Sequence, residues 1–126
     1  MWRLRKNKMK KVLLMATMLL MFGAANAQCN GVIFKITNGK LEKYDNNGNY
    51  KGSITSDVID SDCNNELVIV VKTNGKVEKY DFNGNYKGSI TSDARKARVS
   101  GDIIIVTKEN AKVEKYDFNG NYKGSI

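Results

Sequence analysis

The chain has 126 residues, with 21 Lys and Arg against 13 Asp and Glu, no His, no Pro and two Cys. That length allows one domain rather than two, and the absence of His removes the commonest general base, the commonest zinc ligand and every Ser-His or Cys-His pair. A formal charge of +8 would suit nucleic acid or an anionic membrane if it were spread over the folded protein.

It is not. Arg3, Arg5, Lys6, Lys8, Lys10 and Lys11 lie in the first eleven residues without one acid, and the uncharged run Val12–Phe22 follows. With Ala25-Asn26-Ala27 behind it, this is a basic region, a short apolar region and a small-residue cleavage site, so residues 1–27 read as a signal peptide cut between Ala27 and Gln28. The apolar run is well short of the roughly 20 residues that span a bilayer, so no stable membrane anchor is expected. Met9 before Lys10-Lys11 is itself a compact signal start, which leaves two candidate first residues, Met1 and Met9. Cys29 lies close behind the cut, but Gln28 stands where a lipoprotein pattern wants a small residue. The exported chain of residues 28–126 retains 15 cations and all 13 acids, a net charge of +2. Nucleic acid is therefore not an expected partner. The periplasm, the cell surface or the medium is the expected location.

The rest is a repeat of 36 residues. Gly39–Asp57 and Gly75–Asp93 agree at 17 of 19 positions, and Ala111–Ile126 agrees with the second copy at 15 of 16. The single domain 28–126 thus divides into repeats of about 31–66, 67–102 and 103–126. Each opens on a Val- and Ile-rich run (Val32–Ile36, Leu67–Val71, Ile103–Val106), which suits a strand covered on both faces. Asn38-Gly39 and Asn74-Gly75 then predict two-residue hairpin turns with positive φ twice, and Asn110-Ala111 predicts a strained or remodelled version. The second strand, Lys76–Asp81 in the middle copy, places Val77 and Tyr80 on opposite faces. After a turn at Asn83-Gly84-Asn85, the third strand alternates, with Tyr86, Gly88 and Ile90 facing one way. The intervening segments have room for a fourth, irregular edge strand, of which Lys96–Ser100 is the most extended in character. No helix is expected. The fold class is all-β and antiparallel, with three to four strands per repeat.

An apolar strand such as Val68–Val71, then Asn74-Gly75, a strand Val77–Asp81 ending in Tyr-Asp, and Asn83-Gly84 resembles a β-propeller blade of the quinoprotein-like and related secreted bacterial families. WG-type repeats have a similar period, but the only tryptophan is Trp2. Propellers usually close with four to eight blades. Three blades imply an open stack, a six-bladed ring of two chains, or else a compact threefold trefoil-like barrel in place of blades.

The candidate binding residues are aromatic. Tyr44, Tyr80 and Tyr116 form one register, and Tyr50, Tyr86 and Tyr122 another. They either make a stacking surface for sugar rings or a protein, or pack between neighbouring sheets with each hydroxyl partnered. Phe82 and Phe118, replaced by Asn46 in the first copy, sit at the turns and read as exposed. Asp81-Phe82-Asn83-Gly84-Asn85 begins like a calcium loop, but Tyr86 and Ser92 stand where its Gly and Glu belong, so it reads as a turn. Cys29 and Cys63 are 34 residues apart, nearly one repeat, and export makes a disulfide between them the expectation. No metal site and no cofactor are expected. The segment Val58–Asp62 has charge −2 and its counterpart Ala94–Arg98 has +3, which reads as complementarity between chains or as two drifted, solvated loops. Recurrent acids such as Glu42, Glu78 and Glu114 are repeat features rather than a unique catalytic pair. The expectation is a non-enzymatic binding or assembly module for a glycan, a protein or its own kind. The alternative is a structural surface or matrix component that self-associates through strand edges.

Overall fold

The structure is a computed structural model that describes residues 26–126. The basic and apolar segments and both candidate start residues lie outside the described residues. The expected cut between Ala27 and Gln28 falls inside the first strand, β1 (Asn26–Cys29).

Twelve strands and no helix occur among the described residues, in three antiparallel sheets of four. Sheet 1 runs β1, β2 (Val32–Thr37), β3 (Lys40–Asp45), β4 (Tyr50–Thr55). Sheet 2 runs β5 (Val58–Cys63), β6 (Leu67–Lys72), β7 (Val77–Asp81), β8 (Tyr86–Thr91), and sheet 3 runs β9 (Ala94–Ser100), β10 (Ile103–Lys108), β11 (Val113–Asp117), β12 (Tyr122–Ser125). These are blade-like meanders, each pairing only strands consecutive in sequence, and not a threefold barrel.

The sheets are phased differently from the sequence repeats. The variable segments after Asp57 and Asp93 form β5 and β9, the first strands of the following sheets. The chain crosses between sheets at Asp57 and Asp93, which hold φ of 58° and 57°. Each crossing is fixed by backbone hydrogen bonds, Val58 N–H to the Gly39 carbonyl and Ala94 N–H to the Gly75 carbonyl.

The sheets stack face to face, and β6 shows why its apolar run needs no polar face. Val68, Ile69, Val70 and Val71 are all fully buried. Val68 and Val70 join Phe34, Leu41, Ile54 and Tyr80 in a core with sheet 1, while Ile69 and Val71 join Val77, Ile90, Ile104, Val106 and Tyr116 in a core with sheet 3. Successive side chains of one strand thus serve two cores, each fully buried aliphatic contributing about 1.5–3 kcal/mol. Val77 and Tyr80 are both buried for the same reason.

Two expectations are corrected. Asn38-Gly39 does form the two-residue turn, with φ of 52° and 80°. At Asn74-Gly75 only Gly75 has positive φ; Lys72 N–H donates to the Lys76 carbonyl and Gly75 N–H to the Lys72 carbonyl, closing a three-residue loop. The strand end is drawn aside there, because Thr73 N–H donates to the Asp57 carbonyl instead of pairing across the hairpin. The third copy keeps this loop, with Ala111 at φ 75°. In the third strands, Tyr86 is exposed while Ile90 is buried. Register shifts at Lys79/Tyr80 and Val77/Glu78 break the alternation, with Gly88 at φ 126° beside the first.

The first strands of the sheets lie side by side at one edge of the stack. Cys29 and Cys63, opposite Val32 and Val68 in their hairpins, occupy equivalent places and form a disulfide. On β9, the edge N–H groups of Ala97 and Val99 donate to Asp60 Oδ2 (3.0 Å) and Asp62 Oδ2 (2.8 Å) of β5. The opposite charges of the two segments therefore meet inside one chain. That corrects both the between-chain and the drifted-loop readings.

Candidate functional site

The two tyrosine registers separate. Tyr80 and Tyr116 are buried and Tyr44 is half-buried, on β7, β11 and β3. Each hydroxyl donates to the glutamate two residues before it, Tyr44 to Glu42 (2.8 Å), Tyr80 to Glu78 (2.8 Å) and Tyr116 to Glu114 (2.6 Å). Burial raises the Tyr80 and Tyr116 hydroxyls above their ordinary pKa, with the glutamate bond adding to it; at Tyr44 the bond to Glu42 is the larger cause.

Tyr50, Tyr86 and Tyr122 open β4, β8 and β12 and are 58, 57 and 56% exposed. Each stands edge-on to the inner tyrosine of its own sheet, with ring centroids 5.7, 5.6 and 5.8 Å apart. The inner ring braces the outer one, so a large amphipathic side chain is presented with little freedom left to lose. The outer tyrosines form a repeated row, and the inner ones support it.

The turn before each outer tyrosine is equally regular. Asp81 Oδ1 accepts the N–H groups of Asn83 and Asn85, both at 2.9 Å, and Oδ2 accepts Asn85 Nδ2. Asp45 and Asp117 do the same in their sheets. These bonds hold all three carboxyls below their ordinary pKa, the Asn49, Asn85 and Asn121 backbone N–H groups contributing most. The aspartates are turn staples, as the failed calcium pattern implied. Lys51, Lys87 and Lys123 follow the outer tyrosines and lie 3.8 Å from the same aspartates. Among the described residues no group of His, Cys, Asp and Glu could hold a metal ion.

Phe82 and Phe118 are not exposed tips. Both are half-buried wedges that reach across a sheet boundary, Phe82 edge-on to Phe34 at 5.0 Å and Phe118 against the second core. Their carbonyls carry bonds that the sequence reading missed: Lys43 Nζ donates to the Phe82 carbonyl and Lys79 Nζ to that of Phe118. The signal was present, since each lysine precedes its phenylalanine by 39 residues.

A depression of about 420 Å³ at the boundary of sheets 2 and 3 is lined by Asp93, Lys108, Glu109, Asn110 and Glu114. Lys108 is already engaged by the Ser92 carbonyl, Thr91 and Glu114.

The family model described as Helicobacter pylori IceA2 protein matches residues 30–82, less than half of the chain. No curated protein matches. Solved structures do. BamB from Moraxella catarrhalis superposes with a TM-score of 0.64 at 10% identity, over 74% of this chain and 30% of that one. The N-terminal domain of Nup159 gives 0.59 at 12% identity, over 80% of this chain and 29% of that one. Kluyveromyces lactis Hsv2 gives 0.59 at 12% identity, over 79% and 34%. BamB and the Nup159 domain are β-propellers, and this chain spans about a third of the length of each of the three. The sheets are propeller-blade-like repeats.

Proposed function

We propose that this protein is an exported, non-enzymatic binding module of bacterial origin whose working surface is the row Tyr50, Tyr86, Tyr122. The observation that carries the reading is the threefold recurrence of an outer tyrosine left more than half exposed and braced by an inner one. Three copies of one weak contact multiply into an avid one. A protein partner is favoured over a glycan, because the lysine and asparagine groups around each ring give the mixed apolar and hydrogen-bonding character of a protein interface. Export is supported by the basic and apolar segments before Gln28 and by the disulfide. No described helix is long and apolar enough to cross a membrane.

The alternative of self-association through strand edges has less support. The outer edge strands β4, β8 and β12 carry register irregularities, and Lys51, Lys87 and Lys123 stand on them, the devices that discourage edge pairing.

The test is capture from cell-surface extracts with the wild type and with the triple variant Tyr50→Ser, Tyr86→Ser, Tyr122→Ser, together with a glycan array. The same protein retained by the wild type and lost with the variant supports the reading. Array hits that vanish in the variant transfer it to a glycan, and binding unchanged by the three substitutions overturns it.

A further inference from the structure

The outer strands carry charge of one sign. β4, β8 and β12 each open on Tyr-Lys-Gly-Ser and contain no acid. The side chains of Lys51, Lys87 and Lys123 are 56, 50 and 50% exposed, whereas those of the carboxylates beside them, Asp45, Asp81 and Asp117, are 28, 24 and 23% exposed. The cations stand outward and the anions are set back.

The aspartates are held by their turns rather than by these lysines. In the middle sheet both oxygens of Asp81 already accept N–H groups of Asn83 and Asn85. The lysines stay 3.8 Å away, and among the described residues none of the three donates a hydrogen bond. An exposed pair this loose holds its lysine weakly. Other groups of the same repeats are engaged inside the chain: Lys43 and Lys79 by the Phe82 and Phe118 carbonyls, Lys72 and Lys108 by Thr55 and Thr91. Glu42, Glu78 and Glu114 likewise accept the inner tyrosine hydroxyls. The exposed Tyr-Lys pair is also the same in all three outer strands, whereas the exposed Ile59 of β5 has Arg95 as its counterpart on β9.

We infer that the partner of this surface is an acidic protein segment, whose Asp and Glu side chains pair with Lys51, Lys87 and Lys123 while its apolar groups pack on Tyr50, Tyr86 and Tyr122. The inference rests on the tyrosine row as the binding surface and adds the charge of what it binds. On docking, each lysine exchanges a recessed carboxylate at 3.8 Å for one brought into contact. The aspartate left behind keeps its turn N–H groups, so the exchange strands no buried charge. The ring next to each lysine shields one side of the new pair from water and strengthens it. Three such pairs in a row act together on one extended segment.

Fluorescence anisotropy of labelled poly-L-glutamate with the purified protein tests this. Binding is expected at low ionic strength and should weaken about tenfold in about 0.3 M salt. The triple variant Lys51→Gln, Lys87→Gln, Lys123→Gln should weaken it about tenfold at low salt. A second triple variant removes the same charge from the exposed lysines beside the opposite hairpins, Lys40→Gln, Lys76→Gln and Lys112→Gln, and should change binding less than about twofold. Poly-L-glutamate that does not bind, or equal losses in the two lysine variants, overturns the inference. The tyrosine row stands or falls on its own triple variant, so the two failures are told apart. Hyaluronate or phosphatidylglycerol vesicles bound as tightly as poly-L-glutamate, with the same dependence on the outer lysines, also overturn it and assign the surface to a polysaccharide or a membrane.

Discussion

Arg98 Nη1 lies 2.7 Å from Asp60 Oδ2, and the same oxygen accepts the Ala97 N–H at 3.0 Å. Asp60 is buried, while the arginine remains partly open to solvent. Asp60 thus caps one of the two edge N–H groups of β9 that carboxylates of β5 accept, Asp62 taking that of Val99, and it neutralises the cation next to it. Two segments of opposite charge lie 36 residues apart because they are neighbouring strands.

Removing that carboxylate strands two donors, whereas removing the arginine leaves the backbone bond in place. Asp60→Ala is expected to cost about 3 kcal/mol and Arg98→Ala about 1 kcal/mol. Urea unfolding measures both. Equal small losses would show that Asp60 does not hold the two sheets together.

Ala111 holds φ 75° in a loop where the second copy has Gly75 at 87°. Ala111→Gly is expected to raise stability by about 1 kcal/mol, since a left-handed residue is strained by its Cβ. The reverse exchange is harsher. Gly75→Ala adds a Cβ 3.3 Å from the Asp93 backbone and from the Glu109 carboxylate, so its loss should reach about 2 kcal/mol. Thermal or urea unfolding of the two variants checks the sign of each.

The stacking order was legible in the sequence only where residues carry local meaning. The apolar runs, the Asn-Gly turns and the near-equivalence of Cys29 and Cys63 report their own surroundings, and the strands and the bridge follow from them. The place of the segments after Asp57 and Asp93 was not legible. Whether they end one sheet or begin the next depends on which edge receives Val58 N–H and Ala94 N–H, a long-range choice. The burial of Phe82 depends likewise on Phe34 in another sheet. The tyrosines were legible as two registers, but which one faces outward is set by the register shifts beside Gly52, Gly88 and Gly124.

Asp45, Asp81 and Asp117 have native pKa values below the ordinary 3.8, so the unfolded chain binds protons more readily than the folded one. Their stabilisation is complete above the ordinary carboxyl value and is lost as pH falls through the lower native values. The midpoint of urea unfolding is expected to drop between neutral pH and about pH 3. It should drop less in a triple Asp→Asn variant, which starts lower. Parallel pH curves for the two proteins would contradict the staple role.

The disulfide between Cys29 and Cys63 closes a loop across the first sheet boundary, with a sequence separation of 34. Reduction, or Cys29→Ser with Cys63→Ser, is expected to remove about 3–4 kcal/mol by the loop-entropy estimate. Calorimetry with and without reductant measures it. An unchanged melting temperature would mean that the first sheet is held by packing alone.

The proposed role of the outer tyrosines is tested most directly by placing a photo-crosslinking phenylalanine analogue, one position at a time, at Tyr50, Tyr86 and Tyr122 and at the exposed Ile59 of β5, in the cell that makes the protein. The same protein adduct is expected from all three tyrosine positions and not from Ile59. Adducts confined to Ile59, or none at any tyrosine position, would contradict the outer tyrosine row as the binding surface.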